Sequence, residues 1–118
     1  MKLSLSLLAL AGFAVTTVTA DDGTKCSNKA PSVVNAIGKF CQKTNMVVPS
    51  KYATGGMMGY AGKQTRISIT GNCGPAQWVP QEYCFKQFYH MCATGTSSGT
   101  SAKRYGRNGC QTWLIGNG

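Results

Sequence analysis

Six cysteines follow residue 20 of this 118-residue chain, and they constrain its fold more than any other feature. An even number of cysteines in a small domain is typical of a disulfide framework formed in an oxidising compartment. The cysteines that we expect to be oxidised into three disulfides are Cys26, Cys41, Cys73, Cys84, Cys92 and Cys110. Such bridges would supply much of the stability of a chain too short to bury a large core.

The first twenty residues have the pattern of a secretory signal peptide. Lys2 gives a positive start, an apolar run covers residues 3–14, and residues 18–20 place small side chains at the cleavage positions. The run is shorter than the ~20 apolar residues that a membrane span needs. We therefore expect cleavage after Ala20, secretion to the extracellular space, and one cysteine-rich α/β sandwich domain of about 98 residues, 21–118.

Hydrophobic periodicity predicts two helices. The first spans residues 32–43, with Ser32 as its N-cap and Gly38 weakening it by about 1 kcal/mol against alanine, unless another backbone packs there. The second spans residues 79–93, with Pro80 in its first turn. The cysteines of both helices fall on the same faces as the bulky apolar residues, so we expect their disulfides in the core.

Helix geometry excludes one disulfide. Cys84 and Cys92 lie eight residues apart on the second helix, about 12 Å along its axis. The Cα atoms of a disulfide lie within about 7 Å, so these two cysteines cannot bond to each other. Of the 15 possible pairings, about twelve stay open. With no Cys-x-x-Cys pair and one histidine, the sequence predicts neither a metal site nor a cofactor.

Strand patterns complete the expected fold. Alternating apolar and polar residues predict a strand at 65–70, with 57–60 as its hairpin partner through a turn at 61–63. Further strands are expected at 110–115 and, as a short segment, at 24–26. The order strand, helix, hairpin, helix, strand favours an α+β fold with two helices packed on a four-stranded antiparallel sheet.

A basic segment follows a small, polar loop at residues 94–102 and forms the candidate binding surface: Lys103, Arg104, Tyr105 and Arg107. The whole chain carries 12 Lys and Arg against 3 Asp and Glu, which favours anionic partners. These cations are scattered along the chain, so we expect no dedicated nucleic-acid site. Lys103 and Arg104 also form a candidate dibasic processing site. Both tryptophans, Trp78 and Trp113, are expected to pack inside.

Catalytic patterns are sparse, and the sequence predicts a protein that is not an enzyme. His90 is the single imidazole, and Glu82, eight residues earlier on the same helix, is too far away to assist it. Residues 95–99 match the pattern Gly-x-Ser-x-Gly, but Ser97 and Ser98 lie in a small, polar loop, and the chain offers few acidic partners for a hydrolase triad. A small secreted ribonuclease using His90 is kept as a lesser alternative.

The second predicted helix resembles a segment of a known family. Cys84, Gln87-Phe88-Tyr89 and Cys92, with Gly109-Cys110 entering a last strand, are similar to the killer protein six family of virus-encoded killer toxin subunits and secreted fungal effectors. The resemblance implies a split β-α-β sandwich without catalytic residues. The other cysteines depart from the toxin subunits.

The combined expectation is a secreted, monomeric, cysteine-rich fungal effector without enzymatic activity, acting in the host apoplast. It would bind a host or microbial surface component, which the sequence leaves open as a protein, a glycan or an anionic membrane. The alternative is a killer-toxin-like antifungal protein that engages membranes or cell walls through its basic surface. The role could thus be virulence or microbial antagonism.

Overall fold

The computed structural model describes the backbone from Phe13 to Gly118 and the side chains from Asp21 onward. The predicted signal peptide, residues 1–20, therefore lies outside the described side chains, and its first twelve residues lie outside the described backbone. The elements are α1 (Phe13–Lys29), α2 (Pro31–Phe40), β1 (Val47–Val48), α3 (Lys51–Gly55), β2 (Met57–Ala61), β3 (Lys63–Gly71), β4 (Gln77–Trp78), α4 (Gln81–Thr94), β5 (Ser101–Tyr105) and β6 (Gln111–Asn117).

The fold is α+β with a four-stranded antiparallel sheet, as the sequence predicts. Its strand order is β2-β3-β6-β5, so two hairpins meet where β3 pairs with β6 at the centre. The β2–β3 hairpin turns at Gly62, whose φ of 85° suits a residue without Cβ. Strands β1 and β4 form a separate two-stranded ribbon. Four helices are present in the described chain rather than the two expected.

The N-terminal strand expected at 24–26 is wrong, because those residues belong to α1. Helix α1 packs along α4, where Lys29 Nζ donates to the carbonyl oxygens of Cys92 (3.0 Å) and Ala93 (2.8 Å). A cation at the end of α4 also complements the helix dipole. These long-range contacts outweigh the weak local strand signal of three residues. The fourth strand of the sheet is instead β5, whose polar sequence shows no alternation.

All three expected disulfides form. They are Cys26–Cys92, Cys41–Cys84 and Cys73–Cys110. The exclusion of a Cys84–Cys92 bond is thereby confirmed. The linked cysteines lie 66, 43 and 37 residues apart in the sequence. By the chain-entropy model, loops of this size stabilise the fold by about 4 kcal/mol each.

A cluster of aromatic rings in edge-to-face and tilted contact joins the helices to the sheet. Phe88 of α4 contacts Phe40 of α2 at a centroid distance of 5.8 Å, and Trp113 of β6 at 4.7 Å. All three side chains are buried, which confirms that Trp113 is a core residue. Tyr105 of β5 extends this cluster, with its ring edge-to-face with Trp113 at a centroid distance of 5.1 Å.

Helix α2 starts earlier than predicted, and the predicted N-cap is wrong. The N-cap position is occupied by Ala30, and Pro31 begins the helix. Ser32 lies inside the first turn, is buried, and its hydroxyl lies 2.5 Å from that of Thr65 in β3. The hydroxyl of Ser32 therefore satisfies a buried polar partner on the sheet instead of the helix end.

A close backbone approach between α2 and the sheet occurs at Gly59 of β2, and not at Gly38 of α2. A Cβ on Gly59 would overlap the carbonyl oxygen of Ser32 and lie 2.8 Å from the Cβ of Ala36. Around Gly38, a Cβ would meet open space. Gly38 therefore lowers the stability of α2 through its poor helix propensity, and no close packing at this position requires a glycine.

Substituting these two glycines by alanine is predicted to have opposite effects. Gly38→Ala should raise the free energy of unfolding by up to about 1 kcal/mol, because alanine favours the helix and restricts the unfolded chain. Gly59→Ala should lower it by about 1–3 kcal/mol or more, because α2 must move away from β2. Chemical denaturation of the oxidised variants measures both, and equal effects at the two positions would contradict this packing.

Candidate functional site

The structure separates the four residues of the predicted binding surface. Lys103, Arg104 and Tyr105 are successive residues of the edge strand β5, so their side chains alternate between the two faces of the sheet. Arg104 is opposite Thr112 in the ladder, whereas Lys103 is opposite the buried Trp113. Arg104 therefore lies on the face away from the aromatic core, and Tyr105 lies on the core face.

Arg104 and Arg107 come together in a groove. This basic groove has a volume of about 480 Å³ and runs between the loop that follows β3 and the 3₁₀ turn Arg107–Gly109. The residues with polar or charged side chains that line it are Asn72, Arg104, Arg107, Asn108 and Thr112. Two of the four predicted surface residues thus line one concave site.

Both walls of the basic groove are firmly attached to the fold. The Cys73–Cys110 disulfide joins them, and the backbone N–H of Asn72 donates to the carbonyl oxygen of Cys110 over 3.2 Å. A Cβ on Gly71 would overlap that same carbonyl oxygen, so the close approach requires glycine there. The groove therefore exists before any ligand binds.

The turn that carries Arg107 is also held in place. The backbone N–H of Arg107 donates to Oε1 of Gln77 over 3.0 Å. The residues on either side, Gly106 and Asn108, have φ of 83° and 55°, values that glycine and asparagine tolerate best. The local sequence Gly-Arg-Asn-Gly thus suits this turn, and the turn presents the Arg107 guanidinium at the groove.

The charge of the basic groove favours anions. Two guanidinium groups line it, and no acidic residue stands among its lining residues. A guanidinium keeps its charge at all physiological pH values and presents a planar donor fork that matches carboxylate, sulfate or phosphate oxygens. Neither an imidazole nor a carboxylate that could transfer a proton is among the residues that line the groove.

Tyr105 contributes to the core face rather than to the basic groove. Its side chain is half-buried, and burial raises the pKa of its hydroxyl above the usual value, which keeps the group protonated. The expected cluster of Tyr105 with both arginines is therefore wrong, because strand alternation sends Tyr105 to the opposite side.

The expectation of a packed Trp78 is also wrong. Its side chain is 61% exposed, and Nε1 donates to the carbonyl oxygen of Thr44 over 2.9 Å. In the short β1–β4 ribbon Trp78 lies opposite Val47, which is itself exposed. The two-residue strand β4 has too little pattern for the sequence to reveal which face is buried.

His90 has a partner that sequence reasoning missed. Nδ1 of His90 lies 3.1 Å from Oδ2 of Asp22, which projects from α1. The two residues are 68 positions apart, and only the packing of α1 along α4 brings them together. The pair lies on the helical layer, and neither residue lines the basic groove.

The candidate dibasic processing site lies in a strand rather than in a mobile loop. Both Lys103 and Arg104 are exposed, but their backbone belongs to β5 and pairs with β6. A protease would need β5 to leave the sheet before it could bind the peptide bond in its active site. The Cys73–Cys110 disulfide would keep the C-terminal fragment attached after a cut.

We therefore predict that a dibasic-specific secretory protease leaves the folded protein intact and cuts after Arg104 only when the disulfides are reduced. Intact mass, recorded before and after reduction, measures this. The control is Arg104→Gln, which should remove the cut in the reduced chain. If the folded protein is treated with the protease and two fragments then separate on reduction, β5 opens readily and the prediction is contradicted.

The described chain shows no helix of the length and apolar character that a membrane crossing requires. It also shows no cluster of three or more His, Cys, Asp or Glu side chains that could hold a metal ion.

Comparisons with known proteins assign no family: no family model, no curated protein and no solved structure matches this chain. The similarity to the killer protein six family stays a prediction from the motif around α4. The three disulfides by themselves suggest an oxidising, extracellular-type environment.

Proposed function

We propose that this protein is a secreted, non-enzymatic effector that acts in the apoplast of a host by binding an anionic surface glycan through the basic groove. The observation that carries the proposal is the pairing of Arg104 and Arg107 in one rigid, concave site. An acidic polysaccharide of a host or microbial cell wall has the repeated carboxylate groups that two neighbouring guanidinium groups recognise.

Rigidity supports a binding role. Because the Cys73–Cys110 disulfide and the Gln77–Arg107 hydrogen bond hold the groove in place, little backbone freedom is lost when a ligand binds. The formal net charge of +9 would draw the whole protein towards anionic surfaces. Asn72, Asn108 and Thr112 add neutral hydrogen-bonding groups suited to sugar hydroxyls.

The extracellular setting is supported by two independent features. The signal-peptide pattern of residues 1–20 directs export, and among the described residues all six cysteines are in disulfides, which persist outside the cytosol. The resemblance around α4 adds the expectation of a fungal origin.

Replacing both arginines by glutamine, Arg104→Gln with Arg107→Gln, is predicted to weaken binding to immobilised polygalacturonate at least tenfold. Hydrogen bonds to charged groups contribute about 1.5–3 kcal/mol each, and about 1.4 kcal/mol corresponds to a factor of ten. The measurement is retention on the polymer and on apoplastic cell-wall fractions at several salt concentrations, because exposed charge interactions weaken with salt.

The matched control is Lys63→Gln with Lys86→Gln. It removes the same charge from residues that do not line the basic groove, so binding should fall only slightly. An equal loss in the two double variants would show that net charge alone attracts the polymer. Unaltered binding of the arginine variant would refute the proposed site.

The antifungal alternative differs in its target. A killer-toxin-like protein would inhibit fungal growth by engaging membranes or cell walls through its basic surface, and one that acts on membranes would also release dye from anionic vesicles. That combination would favour the alternative over the effector proposal.

A ribonuclease activity is a lesser proposal that the Asp22–His90 pair favours, since a carboxylate on Nδ1 orients an imidazole for proton transfer. It predicts RNA cleavage that His90→Ala abolishes and Asp22→Asn reduces. Undetectable cleavage by the unaltered protein removes this proposal.

A further inference from the structure

A second concave surface lies on the other side of the turn that carries Arg107. This aromatic–amide cleft has a volume of about 330 Å³ and lies between β4, the start of α4 and the end of β5. The side chains that define it are Gln77, Trp78, Tyr83, Gln87, Tyr105 and Gln111. Arg104 and Arg107 are not among its lining residues, so it is distinct from the basic groove.

We propose that the aromatic–amide cleft binds a neutral pyranose unit of a glycan. A pyranose ring presents C–H groups on its faces and hydroxyl groups around its rim. A complementary site therefore needs exposed aromatic faces for the C–H groups and amides for the hydroxyls. The cleft supplies both kinds of group.

The aromatic part of the cleft is exposed and yet held in position. Trp78 and Tyr83 are 61% and 49% exposed, and they are two of the four large hydrophobic side chains exposed in the described part of the chain. The indole of Trp78 is fixed by its hydrogen bond to the carbonyl oxygen of Thr44 and by its place in the β1–β4 ribbon. A rigid aromatic side chain loses little entropy when a ligand stacks on it.

The amide part of the cleft is oriented by a buried network. Gln111 is only 5% exposed; its Oε1 accepts from Nε1 of Trp113 (2.8 Å), and its Nε2 donates to Oε1 of Gln77 (3.2 Å). The backbone N–H of Arg107 donates to the same Gln77 oxygen. This network leaves Nε2 of Gln77 without an acceptor among the described residues. The half-buried side-chain amide of Gln87 also has no hydrogen-bond partner among them.

The charge of the cleft selects a neutral ligand. None of the residues that line it is charged, although the chain as a whole carries a formal net charge of +9. An anion would gain more from the two arginines of the basic groove. An apolar side chain of a peptide would leave the unpaired amides of Gln77 and Gln87 without partners, which costs free energy.

The size of the cleft limits how much of a glycan it can hold. Its volume lies at the lower end of the range of about 300–1,000 Å³ that small-molecule sites occupy. A chain end or a single internal unit would fit better than a long segment. The inference goes beyond the anionic-glycan proposal, because it involves a different ligand and different side chains.

The experiment titrates ¹⁵N-labelled oxidised protein with three neutral oligosaccharides, laminarihexaose, chitohexaose and cellohexaose. Binding of at least one is expected to shift the Trp78 indole N–H and the amides of Gln77 and Gln87 in a saturable manner. The Trp113 indole also lines the cleft but is only 1% exposed, so it should move less than that of Trp78. Tryptophan fluorescence gives a second readout. Failure of all three sugars to bind up to millimolar concentration would overturn the proposal.

Variants locate the binding. Trp78→Ala and Tyr83→Ala each change an exposed side chain, and each should weaken binding at least tenfold, as measured by calorimetry. Tyr60→Ala is the matched control, because Tyr60 is 55% exposed on β2, the opposite edge strand of the sheet. Unchanged affinity in Trp78→Ala, or an equal loss in Tyr60→Ala, would overturn the assignment.

The arginine variant separates this inference from the proposed function. Arg104→Gln with Arg107→Gln should lose polygalacturonate binding but keep its affinity for the neutral oligosaccharide. Loss of both activities in that variant would contradict an independent neutral-sugar site. If the variant keeps both polygalacturonate binding and oligosaccharide binding, only the proposed role of the basic groove is overturned.

Discussion

The attachment of α4 to the rest of the chain is the constraint on which the other features depend. Two of the three disulfides end on this helix, and they link it to α1 and to the end of α2. Between them, Phe88 reaches Trp113 on the sheet. The four cysteines and Phe88 are fully buried, so the covalent links and the hydrophobic contacts occupy the same core. A small domain gains from this arrangement because the disulfides restrict the unfolded chain while the aromatic contacts bury apolar area.

The third disulfide and one amide organise both candidate sites. Cys73–Cys110 joins the two walls of the basic groove, and Gln77 connects the turn at Arg107 to the buried Gln111. The groove and the aromatic–amide cleft thus lie on opposite sides of one short, well-held segment. An anionic group on one side and a neutral ring on the other would meet different side chains. This separation is what allows the two proposals to be tested independently.

The sequence predicted the regular elements more successfully than the sites. The alternation Thr65, Ile67, Ile69 identified β3 because its inward side chains contact the helices, and all three are buried. Helix α4 was predicted within two residues at either end. The structure divides the predicted binding surface, because successive residues of β5 alternate between the two faces of the sheet and Arg107 lies in the turn beyond that strand. Trp78 and the Asp22–His90 pair were missed because their environments come from segments distant in the chain.

By itself, the sequence determined the helix and strand periodicities and the impossibility of a Cys84–Cys92 bond, since each follows from local spacing. Its six cysteines suggested an oxidising environment. Tertiary structure decided which cysteines pair, that residues 24–26 extend a helix, and that Ser101–Tyr105 becomes the edge strand. It also decided that Arg104 and Arg107 share a groove while Tyr105 lines another surface. These outcomes depend on contacts between separate segments of the chain, from the β5–β6 pairing to disulfides between cysteines 37 to 66 residues apart. The free energies of these contacts exceed the weak local preferences of short polar segments.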